Sequence, residues 1–284
     1  MLDLSADIET QYNPRKAVAN VEALMQHAAA LSAATRDHRP ARMDIRYGAG
    51  PLATLDVFPA ADAKAPIHVF LHGGYWRGRD KADYSYIADA LVPLGITTVV
   101  MNYDLCPGVE LPVIVQQVRD GLRWIHTQAG ELGGDPDHFT ASGHSAGAHL
   151  IAAALPKVGS GPLASWVPRA VVLISGIYEL EPVLSITVNQ DIRLRPEQVD
   201  PMSPMRHPPT ANVSLTVVVG GGETSGFVRQ SREFAQSIGN AAAYVELPGH
   251  DHYSIMGLLE APEAPLARLI DGIARRSIPA TCSS

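Results

Sequence analysis

Apolar residues along this chain fall into short dense runs separated by stretches of helical period. Ile67-His68-Val69-Phe70-Leu71, Ile96–Tyr103 and Ala170–Ser175 are rich in apolar and β-branched residues. That is the pattern of strands buried on both faces. Leu215–Val219 and Ala242–Leu247 repeat it downstream, and His138-Phe139-Thr140-Ala141-Ser142 is a shorter version. Upstream, Arg42–Tyr47 alternates Met43, Ile45 and Tyr47 with other residues, and Leu52–Phe58 follows. With Gly48-Ala49-Gly50-Pro51 between them, these two segments read as a strand pair joined by a turn. Between the runs the period changes. Val113–Ala129 sets Val118, Leu122 and Ile125 on one side of a helix. Further helices are expected at Lys81–Leu94, behind Ser145, at Gly226–Gly239 and at Tyr253–Arg276, the last broken at Pro262 and Pro265.

Strands alternating with helices predict an α/β protein: a mostly parallel eight-stranded sheet with helices on both faces. Residues 1–40 form an extension ahead of the sheet. In it Val18, Val21, Leu24, Met25, Ala28 and Leu31 recur at helical spacing, either as a packing stripe or as a cap lining a pocket. Residues 177–212 hold Pro182, Pro196, Pro201, Pro204, Pro208 and Pro209 and exceed an ordinary connection, which predicts a small cap or lid. No boundary or repeat divides the chain, so residues 1–284 read as one domain.

Composition narrows the partners. The net charge of −7 argues against nucleic acid and anionic membranes. No stretch approaches the length of a membrane span. Met1-Leu2-Asp3-Leu4-Ser5-Ala6-Asp7 lacks a basic n-region, so no signal peptide is read and the cytoplasm is the expected location. Cys106 and Cys282 make no disulfide framework, and no Cys/His spacing suggests a metal site. The apolar helices and acidic pI of about 5.8 suit a homodimer.

The chemistry centres on Gly143-His144-Ser145-Ala146-Gly147. A short strand precedes it, and Ala148–Leu155 follows as a helix stopped by Pro156. G-x-S-x-G between strand and helix is the nucleophile elbow of the α/β-hydrolase fold. Its glycines let strand and helix pass closely while the serine sits on a strained turn. Ser145 is the candidate nucleophile, which needs a base to take its proton. His252, after the last strand in Pro248-Gly249-His250-Asp251-His252-Tyr253, is the candidate base, with His250 as its rival. Glu223, after Leu215–Val219, is the candidate acid that fixes the imidazole tautomer. Asp191 and Asp200 follow no strand end, and Asp251 adjoins His252, which makes all three weaker candidates. The order Ser145, Glu223, His252 is the hydrolase order.

His72-Gly73-Gly74 closes the strand at Leu71. The N–H groups of Gly73, Gly74 and Ala146 are expected to form an oxyanion hole, where losing one donor costs about 3–4 kcal/mol. Tyr75 and Trp76 are expected to wall the substrate pocket, and His149 reads as a satisfied core histidine. Arg229 and Gln230 are expected to anchor the loop that carries the acid.

These residues resemble the serine-dependent arylformamidases (kynurenine formamidases), a branch of the α/β-hydrolases allied with the hormone-sensitive-lipase esterases. The similarity rests on His72-Gly73-Gly74-Tyr75-Trp76, Gly143-His144-Ser145-Ala146-Gly147-Ala148-His149 and Phe227-Val228-Arg229-Gln230-Ser231, and runs from about residue 12 to 275. The resemblance implies hydrolysis of an N-formyl or other small acyl group from an aromatic amine or ester. It implies no metal or organic cofactor. It also implies Ser145 as nucleophile, His252 as base, Glu223 as acid, and Gly73, Gly74 and Ala146 as oxyanion donors. This chain departs from the family at Glu223, where an aspartate is usual, and at Ser225-Gly226, where Pro-Glu is usual. A general carboxylesterase and a non-catalytic binding module on the same scaffold are the alternatives.

Overall fold

The computed structural model describes residues 7–159, 161, 163–210 and 212–275. Three helices open it: α1 (Ile8–Tyr12), α2 (Pro14–Ala17) and α3 (Val21–His38). The strands are β1 (Arg42–Arg46), β2 (Thr54–Phe58), β3 (Pro66–Leu71), β4 (Thr97–Met101), β5 (Asp135–His144), β6 (Ala170–Ile174), β7 (Ser214–Gly220) and β8 (Ala242–Leu247). The remaining helices are α4 (Ile87–Leu91), α5 (Leu111–Thr127), α6 (Ala146–Ala154), α7 (Asn189–Ile192), α8 (Pro196–Met202), α9 (Ser225–Ile238) and α10 (Pro265–Ala274).

The strands form one sheet in the order β1-β2-β4-β3-β5-β6-β7-β8. β2 pairs antiparallel with β1 and β4, and every pair from β4 through β8 is parallel. This is an α/β-hydrolase fold. Alternate residues of β3 and β4 face opposite sides. Val69, Leu71, Val99 and Met101 join the core that includes α5, α6 and α9, whereas Phe70 and Val100 join the core on α4 and α10. The register aligns the carboxyl ends of five strands. Leu71 lies beside Gly143, His144 beside Ile174, Ile174 beside Val218, and Gly220 beside Leu247. The loops that follow these residues therefore emerge along one edge, where α/β sheets place their sites.

Two expected helices are broken. Lys81–Leu94 contains a 3-10 turn at Lys81–Tyr84, then α4, then a second 3-10 turn at Val92–Leu94. The break has a tertiary cause. Lys81 turns inward, placing Nζ 2.7 Å from Asp44 Oδ1 and 2.8 Å from Asp56 Oδ1. The expected helix over Tyr253–Arg276 is a 3-10 turn at Ser254–Leu259 followed by α10, with Pro265 at its first position. Its expected end at Arg276 lies outside the described residues, as does Cys282. The proline-rich segment 177–212 contains a 3-10 turn at Glu181–Ser185, α7 and α8. Among the described residues no helix is long and apolar enough to cross a membrane.

Candidate active site

Ser145 stands between β5 and α6 with φ 54° and ψ −116°, in the positive-φ half of backbone space that a serine rarely occupies. Its N–H donates to the Ile174 carbonyl at 2.8 Å, and its carbonyl accepts from His149 N–H at 3.1 Å. These two bonds hold the strained turn from both sides. The flanking glycines are required by backbone proximity. A Cβ on Gly143 would sit 2.5 Å from the Gly147 carbonyl carbon, and one on Gly147 would sit 2.2 Å from the Leu71 oxygen.

His252 Nε2 lies 3.0 Å from Ser145 Oγ, and its Nδ1 lies 2.7 Å from Glu223 Oε2. With Nδ1–H donated to the carboxylate, Nε2 presents its lone pair to the serine hydroxyl. The imidazole packs 4.7 Å from the Phe227 ring and 4.8 Å from His144. His144 Nε2 bonds the His252 carbonyl at 2.8 Å. Burial first, and the neighbouring His252 second, hold the His144 pKa well below the usual histidine value, so His144 is neutral.

The Glu223 side chain is fully buried. Its Oε1 accepts from Gly220 N–H at 2.9 Å and from the Ser175 hydroxyl, which leaves Oε2 for His252. Ser175 follows β6 at φ 51°, its N–H bonded to the Val218 carbonyl at 2.7 Å. The other carboxylates are engaged elsewhere. Asp251 accepts from the N–H groups of Tyr253 and Ser254, Asp191 pairs with Arg77, and Asp200 bonds His207. His250 contributes its carbonyl to Gly222 N–H at 2.9 Å.

Gly73 lies against the serine. A Cβ there would be 3.1 Å from Ser145 Cβ. Gly74 has φ 116°, and a Cβ on it would meet the Gly78 oxygen at 2.3 Å. Ala146 carries the first N–H of α6, a group that helix geometry leaves without an intrahelical partner. His72 braces this loop from below. Its Nδ1 is 2.7 Å from the Gly73 carbonyl, its Nε2 is 2.8 Å from Asn102 Oδ1, and its main-chain carbonyl accepts from Tyr103 OH at 2.7 Å.

Above Ser145 opens a cavity of about 640 Å³. Tyr75, Tyr84, Tyr86 and Tyr253 give it an aromatic wall, and Leu24, Met25, Ala28 and Met256 an aliphatic one. The helical stripe of the N-terminal extension therefore lines the cavity as well as packing. Arg15, Arg77 and Arg79 stand at the same wall with Asp80 and Asp83.

Two expectations need correction. Trp76 does not wall the cavity. Tyr75 and Trp76 both have positive φ, at 51° and 55°. Tyr75 faces the cavity, while Trp76 is fully buried with its ring 4.8 Å from His149 on α6. Arg229 and Gln230 do not hold the loop of Glu223. Gln230 bonds the backbone of Tyr178 and Glu179, and Arg229 reaches Tyr12 OH at 3.1 Å. From the sequence alone, Ser175 and Asn102 take no role, and His72 figures only as the head of the diglycine motif. The available signals were a Ser-Gly pair ending a strand and a histidine leading the diglycine.

Comparison with known proteins agrees with this architecture. Residues 68–254 match a family described as having the alpha/beta hydrolase fold. A kynurenine formamidase of Danio rerio is 29% identical over 280 residues, covering 93% of this chain and 94% of that protein. One of Drosophila melanogaster is 30% identical over 246 residues, covering 81% and 80%. Among solved structures, a protein provisionally described as a thioesterase, from Silicibacter sp. TM1040, superposes with a TM-score of 0.80 at 26% identity, covering 94% of this chain and 99% of that one.

Proposed function

This chain belongs to the α/β-hydrolase family, and we propose that it is a serine hydrolase that removes a small acyl group, formyl included, from an aromatic amine or ester. The observation that carries this reading is the unbroken run of hydrogen bonds from Ser145 Oγ through both nitrogens of His252 to Glu223 Oε2.

In the proposed reaction, Ser145 Oγ attacks the carbonyl carbon as His252 Nε2 takes the hydroxyl proton. The substrate oxygen becomes an oxyanion, held by the N–H groups of Gly73, Gly74 and Ala146. Glu223 balances the charge of the imidazolium and keeps Nδ1 protonated. His252 then returns the proton to the leaving nitrogen or oxygen, and the C–N or C–O bond breaks to leave an acyl-serine. Water, deprotonated by the same imidazole, attacks that ester. The acid product departs and Ser145 recovers its proton. The tyrosine wall supports an aromatic leaving group, since ring faces and edges stack on one another. The formamidases among the relatives support formyl as the acyl group.

Hydrolysis of formanilides, N-formylkynurenine, p-nitrophenyl acetate and aliphatic esters by the purified protein tests the reading. Ser145→Ala is expected to lower kcat/KM on every active substrate by at least about 10³-fold. Parental rates in that variant would remove the proposal. Rapid ester cleavage with negligible formamide turnover assigns a carboxylesterase instead. A folded protein whose Ser145 resists fluorophosphonate labelling is a binding module.

A further inference from the structure

Residues 7–17 form a strap of two short helices, α1 and α2, and that strap grips the loop carrying Glu223. Gln11 makes the central contacts. Its Oε1 accepts from Ser225 Oγ at 2.7 Å and from Gly226 N–H at 2.8 Å, while its main-chain carbonyl accepts from Thr224 Oγ1 at 2.6 Å. Ser225 and Gly226 are the first residues of α9, where N–H groups have no intrahelical acceptor. Thr224 occupies the N-cap but its side chain makes no cap bond. The acceptor that a neighbouring side chain ordinarily supplies comes instead from a residue more than two hundred positions away. Glu223 is the residue immediately before this N-cap, so the backbone that Gln11 fixes is the backbone that aims the carboxylate.

Two further observations place the strap on this loop. Gly226 is shaped to receive it, since a Cβ there would lie 3.0 Å from Tyr12 Cζ and 3.1 Å from the Gln11 carbonyl oxygen. Tyr12 is buried, and its ring centre lies 6.1 Å from that of Phe227, which in turn packs on His252. Under the strap, Pro14, Ala17 and Val18 close over Glu223, Phe227 and His252 and leave a void of only about 10 Å³. A void of that size is at the lower limit for holding one water. The carboxylate–imidazole pair therefore works away from bulk solvent, where its attraction is stronger.

We propose that Gln11 is a positioning residue for Glu223: it caps α9 from outside and seats the strap that keeps the Glu223–His252 pair dry. The inference rests on the reading of Glu223 as the acid of the hydrolase. The chain supplies the cap acceptor for its own catalytic loop from the opposite end of its sequence.

The test compares full-length Gln11→Leu, Gln11→Glu and Glu223→Gln with the parent. The readouts are steady-state hydrolysis of an aryl ester, the rate of fluorophosphonate labelling at Ser145, and thermal melting. Gln11→Leu keeps the side-chain size and removes the acceptor. It is expected to lower kcat about tenfold while KM stays within about twofold, with labelling slowed in parallel. Gln11→Glu retains an acceptor oxygen and is expected to stay within about threefold of the parent. Parental kcat in Gln11→Leu, or a loss in Gln11→Glu equal to that in Gln11→Leu, would overturn the inference, as would a lower melting temperature with kcat unchanged. If Gln11→Leu does not fold, Ser225→Ala removes one of the two donors to Gln11 Oε1, and its kcat is expected to fall about threefold. Parental kcat there has the same overturning force. Parental activity in Glu223→Gln would sink the assignment of the acid itself. An inactive Glu223→Gln beside a fully active Gln11→Leu would sink the positioning role alone.

Discussion

A glutamate carries one more rotatable bond than an aspartate, so presenting a single oxygen to an imidazole needs an extra restraint. In this protein the restraint is Ser175. Its hydroxyl and the Gly220 N–H both occupy Oε1 of Glu223, which leaves Oε2 aimed at His252. Ser175 itself is held at φ 51° by its bond to Val218, a conformation costly for a residue with a Cβ. We expect Ser175→Ala to reduce kcat/KM about tenfold, mainly in kcat, because the carboxylate gains freedom while the cavity is untouched. Steady-state kinetics on an aryl ester measure this, and a variant as fast as the parent would show that Gly220 alone suffices. At this scale the sequence displayed the glycines and the residues at strand ends, because elbow sterics and chain order leave marks in sequence. It hid Ser175, which looked like the tail of an apolar run. It also misdirected Trp76. Adjacency cannot reveal that two successive left-handed residues send neighbouring side chains to opposite sides.

Among the elements, the strands were legible because a buried parallel sheet demands continuous apolar runs, and Val69–Leu71, Val99–Met101 and Val171–Leu173 supply them. The segment after β3 was not, because a long-range ion pair decides its shape. Lys81 has 6% side-chain exposure, and Asp56, its partner, is fully buried. Hydrogen bonds and the charges of Asp44 and Asp56 outweigh burial and raise the Lys81 pKa, so the cation persists. The pair ties the cavity wall at Asp80–Tyr84 to the β1–β2 hairpin. Lys81→Met should cost about 3 kcal/mol of unfolding free energy, since it strands the Asp56 charge in the interior. Urea denaturation reads the loss, and Lys81→Met with Asp56→Asn should recover at least half of it. An unchanged midpoint in the single variant would show that the pair contributes nothing to stability. Ser225-Gly226, an unusual pair in the sequence, became intelligible only when the strap was seen resting on it.

Over the whole molecule, the interior holds several histidines that burial keeps neutral near pH 7. Burial lowers His68 to about 3 and His149 to about 4, and it drives His144 well below the ordinary value. A base whose folded pKa is depressed is protonated first in the unfolded chain. Its contribution to stability is therefore present above the unfolded pKa, near 6.5, and is lost as pH falls. Each of the three should cost about 1.4 kcal/mol per pH unit once the unfolded side chain is protonated. Unfolding free energy should thus drop steeply between about pH 6 and 4, before the carboxylates add to the loss. Denaturant titrations at pH 7, 6 and 5 measure the slope, and a flat profile would contradict the burial of these rings. The mostly parallel sheet and the position of the site at strand carboxyl ends were foreseeable from alternation of elements, whereas the order of the strands was not. The route by which the N-terminal residues return to the last third of the chain was not, since nothing local records it.

That return has a consequence for how the protein is made. Ribosomes deliver Gln11 first, yet its hydroxyl partner at position 225 is 214 residues later, and His252 follows after that. A nascent chain can build β1 through β6 in sequence, but no translation intermediate short of the final strand can hold a complete hydrolytic centre. Any activity that needs His252 should therefore appear only after the chain has been made and released past that residue.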